Sequence, residues 1–92
     1  MGRYLISKYS ITIHSSVKED LKKLKQSRLM NEAITIIDTL KYNPYENSQS
    51  YTKLLSNKFN YYSRRISYEH RIIYKVNEEN KEVLILSLWS YR

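Results

Sequence analysis

Residues 61–76 read YYSRRISYEHRIIYKV, and this stretch limits the folding options of the chain more than any other. Two runs rich in β-branched and aromatic residues, one ending near Ile66 and one starting near His70, flank the polar gap Ser67-Tyr68-Glu69. That spacing predicts a β-hairpin. If the gap is three residues, Ile66 pairs with His70 and Arg65 lies directly opposite Arg71. Like charges opposed across a ladder repel. The chain must therefore supply a carboxylate, for which Glu69 is the nearest local candidate, or leave room for an external anion. In the second run Ile72, Tyr74 and Val76 share one face, with Tyr74 expected in the core, while Arg71, Ile73 and Lys75 share the other.

The flanking segments fill in the fold. Met1–Ser7 is expected to be a frayed extension. Tyr9–His14 alternates and predicts a first strand with Ile11 and Ile13 inward. Ser16-Val17-Lys18-Glu19 matches a capping box, followed by Val17, Leu21 and Leu24 at helical spacing, with lysines at 18, 22, 23 and 25 on the other faces. A second helix is expected over Arg28–Lys41, with Leu29, Ala33, Ile36, Ile37 and Leu40 as its apolar stripe. The two helices break near Gln26-Ser27 and form an antiparallel hairpin. Asn43-Pro44 ends the second, because a residue before proline is pushed out of the helical region.

Asn43–Leu55 reads as a loop of about a dozen residues, long enough in a small domain to suggest a functional role. Strands are then expected over Phe59–Ile66, Arg71–Val76 and Glu82–Trp89, the last two joined by the polar turn Asn77–Asn80. The final strand carries Leu84, Leu86 and Leu88 on one face and Val83, Ile85 and Trp89 on the other, so it belongs in the middle of a sheet. The order β-α-α-β-β-β predicts an α+β fold. Two N-terminal helices pack on a four-stranded antiparallel sheet, as one domain over residues 1–92.

Composition narrows the function. A net charge of +7 on 92 residues favours an anionic partner: nucleic acid, an acidic protein or a membrane surface. The chain has no Cys, hence no disulfide framework, which fits a reducing cytoplasm. Its two histidines, His14 and His70, are far apart in sequence, so no metal or other cofactor is expected. No apolar run is long enough to span a membrane, and polar Ser7, Lys8, Ser10 and Thr12 interrupt any signal-peptide core. Tyrosine supplies ten aromatics against one Trp and one Phe. Such rings can stack on unpaired bases, yet most tyrosines in strands simply pack. Tyr61, Tyr62 and Tyr91 are the candidates for base contacts, with Tyr51 as a loop contact.

The sixteen-residue run also resembles the Y/W-S-R-R-I-x-x-E-H-R-L-V-Y-x-V signature of the YoeB/Txe toxins, members of the RelE/ParE superfamily of type II toxin–antitoxin systems. KYNPYENSQSYTKLL resembles the loop after the second helix of that family, and VLILSLWS resembles a closing strand that ends in W-S-H-Y. The resemblance covers nearly the whole chain. It implies a RelE-like fold and a ribosome-dependent mRNA endonuclease that enters the ribosomal A site and is neutralised by a cognate antitoxin. It also implies attack by the 2′-OH of the mRNA on the adjacent phosphate, giving a 2′,3′-cyclic phosphate.

Residue by residue, Arg65 and Arg71 match the family arginines. Thr52 falls where the family has its loop glutamate, and Tyr91-Arg92 falls where it has His-Tyr. The resemblance therefore implies a catalytic set of Arg65, Arg71 and Tyr91, with Glu46 as a substitute base. Lys53, Arg64, Tyr61, Tyr62, His70 and Arg92 are expected to contact RNA. Two alternatives stand beside this reading: a weakened toxin that binds ribosomes without cutting, or a gyrase inhibitor of the ParE kind. Monomer and dimer are both compatible with the sequence.

Overall fold

A computed structural model describes residues 8–54 and 61–91, with the main chain alone for Ser90 and Tyr91. The expected N-terminal extension, the first two residues of the expected second strand, and Arg92 lie outside the described residues. Strand β1 (Ser10–Ile13) leads through a 3₁₀ turn (Ser15–Val17) into helices α1 (Lys18–Lys25) and α2 (Met30–Tyr42). Strands β2 (Thr52–Leu54), β3 (Tyr61–Arg65), β4 (His70–Asn77) and β5 (Glu82–Tyr91) follow. The five strands form one mixed sheet in the order β1-β5-β4-β3-β2. The expected four-stranded antiparallel sheet is thus corrected twice. A short strand sits in the long loop, and β1 runs parallel to β5, with Ser10 opposite Glu82 and Ile13 opposite Ile85. Parallel pairing needs a long crossover, and the two helices sit within it.

The hairpin registers as its three-residue gap predicts. Ile66 N donates to His70 O at 2.9 Å, and Arg65 pairs directly with Arg71. One sheet face joins Ile72, Tyr74, Val83, Ile85 and Leu88 to the helical residues Leu24, Ala33, Ile36 and Leu40 in a single core. Strand β5 is interior, as its two apolar faces require. Leu88, however, is buried together with Val83 and Ile85 and not on the face of Leu84 and Leu86, because the β4–β5 register shifts between them. A shift of one residue moves a side chain to the opposite face.

The helix starts also differ from expectation. His14, not Ser16, caps the 3₁₀ turn, with its Nδ1 accepting from Ser16 N at 3.1 Å. The Ser16 hydroxyl lies 2.8 Å from the same ring nitrogen, so it is not the cap of α1, and no side chain caps that helix. Ile13, expected inward, is 43% exposed, because β1 is an edge strand near the end of the core. Ser27 marks the break between the helices: its hydroxyl donates to Leu24 O (2.9 Å) and accepts from Leu29 N (3.0 Å).

Candidate anion-binding site on the sheet

Strands β3 and β4 divide the motif between two faces. On the face opposite the core, Arg65 and Arg71 are cross-strand partners. Arg71 Nη1 donates to Ser63 Oγ at 3.0 Å. Ser63 is fully buried, so the hydroxyl is fixed and holds one edge of the guanidinium. Thr52 pairs with Ser63 in the β2–β3 ladder, which places the position of the family glutamate on the same face, one strand from the Ser63–Arg71 contact. Thr52 Oγ1 donates to Ser50 O at 3.1 Å. Tyr61 pairs with Lys75 and extends this face. Lys75 and Ser63 were not among the sequence candidates; the period-2 relation to Arg71 and Arg65 was the signal for both.

Two positive side chains are opposed here. Glu69, expected as the local neutraliser, is exposed and pairs with neither arginine among the described residues. The Arg65 Nε is buried and has no hydrogen-bond partner among the described residues. A cavity of about 200 Å³ lies beside Arg65, walled by Asn31, Glu32, Thr35 and Ile36 of α2 and by Gln49. A buried donor without a partner is costly, and the cavity beside it is walled by α2, with Glu32 among its lining.

Arg64 faces the other way. It is 0% exposed, and each of its nitrogens is bonded within the protein. Nε donates to Tyr74 OH at 3.0 Å. Nη1 donates to Ser48 O at 2.9 Å and Gln49 Oε1 at 3.2 Å, and Nη2 to Pro44 O at 3.0 Å and Glu46 O at 2.8 Å. The Tyr51 ring lies 4.9 Å from the guanidinium carbon. Arg64, expected at RNA, is therefore the buried clamp of the 44–51 loop. Its position two residues from Tyr62 and from Ile66, on the core face, was the sequence signal. The clamp also defines Glu46, whose main-chain oxygen it holds and whose Oε2 accepts from Ser48 Oγ at 2.9 Å.

Other sequence candidates pack as well. Tyr62 stacks on Tyr51 and Tyr74, with centroids 5.8 and 5.6 Å away, and its hydroxyl pKa is raised, first by burial. Burial also pushes the Tyr74 hydroxyl up to about 12, against the lowering effect of Arg64. His70 is 8% exposed, and its ring centroid lies 3.9 Å from that of Trp89. Lys53 is exposed but pairs with Tyr62, so it projects on the face opposite Arg71. The main chain of Tyr91 pairs with His70, and that of Ser90 with Arg71, so the end of β5 adjoins Arg71. Among the described residues no group of His, Asp and Glu could hold a metal ion, and no helix is long and apolar enough to cross a membrane.

Away from this face, Glu78 binds three side chains. Its Oε2 accepts from Tyr9 OH at 2.8 Å and from Tyr45 OH, and its Oε1 lies 2.6 Å from Lys81 Nζ. Lys81 first, then the two hydroxyls, hold its carboxyl down at about 2.

Solved structures share this architecture. A YoeB dimer from Staphylococcus aureus matches with a TM-score of 0.79 and 28% identity, covering 94% of this chain and 100% of that one. A YoeB–YefM complex from the same organism matches at 0.75 and 28% identity, with the same coverage of 94% and 100%. An archaeal RelE–RelB complex from Pyrococcus horikoshii matches at 0.72 and 27% identity, covering 89% and 93%. A comparison with curated proteins finds no match. The sheet, its two helices and these matches define a RelE-type toxin fold. Within that class, the model of the YoeB-like toxin of bacterial type II toxin–antitoxin systems matches residues 14–91, and the chain belongs to this family.

Proposed function

We propose that this chain is a ribosome-dependent mRNA endonuclease held in check by a cognate antitoxin. The observation that carries the reading is the Arg65–Arg71 pair, opposed in register on the face away from the core, with Arg71 fixed by Ser63 and the Arg65 Nε without a hydrogen-bond partner among the described residues. In such a reaction the 2′-oxygen of the mRNA attacks the adjacent phosphorus and the P–O5′ bond breaks. The products are a 2′,3′-cyclic phosphate and a 5′-hydroxyl end. One group takes the 2′-OH proton, another returns a proton to the leaving oxygen, and cations stabilise the charge that builds on the phosphoryl oxygens.

Arg71 and Arg65 take the electrostatic role. Tyr91 is assigned to proton transfer on the family resemblance alone; in the ladder its main chain lies opposite His70, and Ser90 lies opposite Arg71. A tyrosine has a reference pKa of about 10, so it suits protonation of the leaving oxygen better than removal of the 2′-OH proton. Glu46 is the loop carboxylate offered as base, and it has to leave its contact with Ser48 to act. Lys75 and Tyr61 extend the RNA-facing surface, and Arg92 adds charge beyond it. An antitoxin partner is supported by the likeness to the YoeB–YefM and RelE–RelB complexes and by the net charge of +7.

Mapping mRNA 5′ ends after brief induction tests the reading. Translation-dependent cuts are expected, and Arg71→Ala is expected to reduce them about 100-fold, as for loss of one charge-stabilising group. Unchanged cutting by Tyr91→Phe would remove Tyr91 from the proton-transfer set. A second reading, ribosome binding without cleavage, rests on Thr52, which cannot act as an ordinary base at the glutamate position. Tight ribosome binding with intact mRNA would establish it.

A further inference from the structure

Strand β5 does not run through its pairing with β4 in constant step. Asn77 pairs with Glu82 and Tyr74 with Ile85, one residue against one. Ile73 then pairs with Ser87, so Leu86 is an extra residue, and Arg71 pairs with Ser90, so a second extra residue follows Ser87. An unbroken ladder would set Leu88 opposite Arg71 and Trp89 opposite His70. The two bulges advance β5 by two residues, and Ser90 and Tyr91 occupy those places instead. Bulges of this kind re-aim a strand next to a functional surface.

A bulge leaves ladder groups without strand partners, and here a helix supplies one. Asp20 of α1 reaches the bulge with one carboxylate oxygen, Oδ2, which accepts from Leu88 N at 3.0 Å and from Ser87 Oγ at 3.3 Å. Among the described residues the carboxylate has no cationic partner. A carboxylate meeting a main-chain N–H makes a stronger bond than a neutral acceptor would.

We infer that Asp20 is a positioning residue for the proposed nuclease: by holding the β5 bulge it sets the register that places Ser90 opposite Arg71 and Tyr91 opposite His70. The inference rests on the proposed function for its activity readout, and on the strand geometry alone for its structural one. The test uses the full chain, as Asp20→Ala, Asp20→Asn and Ser87→Ala, with single-turnover cutting of mRNA on programmed ribosomes, ribosome affinity, and amide spectra with hydrogen exchange.

Asp20→Ala is expected to slow cutting at least about tenfold, since small displacements of reacting groups are costly, with ribosome affinity within about twofold of the parent. Its Leu88 amide is expected to exchange faster than that of Ile72, and the amide signals of residues 88–91 to move. Asp20→Asn keeps an acceptor oxygen and is expected to cut within about threefold of the parent. Cutting by Asp20→Ala at the parent rate, or unmoved amide signals at 88–91, overturns the inference. Equal acceleration of exchange at Ile72 and Leu88 also overturns it, since that marks a general loss of stability. If Asp20→Ala fails to fold, Ser87→Ala is read by the same amide criteria, where moved signals support and unmoved signals overturn. If the parent itself does not cut mRNA, the functional reading fails while the amide measurements still decide the role of Asp20.

Discussion

Burying a guanidinium costs several kcal/mol unless its donors are met, and at Arg64 they are met by the oxygens of Pro44, Glu46, Ser48, Gln49 and Tyr74. Replacing Arg64 with Met would leave those loop oxygens without a donor. A loss of about 2–4 kcal/mol of stability is expected, measured by urea unfolding. Arg71 occupies the partly exposed face, so Arg71→Ala is expected to cost under about 1 kcal/mol in the same measurement while lowering the proposed cutting about 100-fold. The two measurements thus separate a structural arginine, Arg64, from one proposed to act on RNA, Arg71.

Glu78 gives a pH prediction at the same scale. Its carboxyl is held at about 2, against an ordinary value of 4.5, so the folded state prefers the ionised form. The stability this contributes is fully present above about pH 4.5 and is lost as the pH falls toward about 2. Glu78→Gln is expected to flatten the acid limb of a stability–pH curve in that window and to leave its shape at pH 7–9 unchanged.

At the scale of elements, the aromatic stack of Tyr45, Tyr51, Tyr62 and Tyr74 joins the loop to β3 and β4. Tyr62→Ala opens a cavity in it and is expected to cost about 3 kcal/mol, whereas Tyr61→Ala, on the other face, is expected to lower RNA affinity with little change in melting. The hairpin and both helices were legible in the sequence. The gap Ser67-Tyr68-Glu69 fixes one register, and Leu29, Ala33, Ile36 and Leu40 keep helical spacing. Other elements carried weaker local signals. Thr52–Leu54 is three residues long with two polar ones, so it reads as loop until Tyr61–Ser63 pairs with it. The direction of β1 is set by a partner some seventy residues away, and no local pattern encodes it. Leu86 looks like any apolar strand residue, and only the ladder exposes it as an extra one. For the candidate site, the opposition of Arg65 and Arg71 was legible from the hairpin gap. Arg64, Tyr62 and His70 were misplaced because polar or amphipathic side chains in a basic motif were taken as surface, when alternation put them on the packed side.

For the molecule as a whole, the charge of +7 acts over distances at which contacts do not. Association with an acidic antitoxin segment or with ribosomal RNA is expected to be steered by charge. Stopped-flow association rates are expected to fall about tenfold between roughly 50 and 500 mM salt, with dissociation changing less.

The pairing of β1 with β5 also bears on how the molecule comes into being. Strand β5 lies between β1 and β4 and is synthesised after every other strand of the sheet. Until it emerges, β1 and the β3–β4 hairpin have no strand to join them, and the helices have only part of a surface to pack on. Contacts between residues so distant in sequence form slowly, because the chain must close a long loop before they gain anything. On the proposed function, the Arg65–Arg71 pair of the earlier hairpin gains its β5 neighbours only with the strand that arrives last.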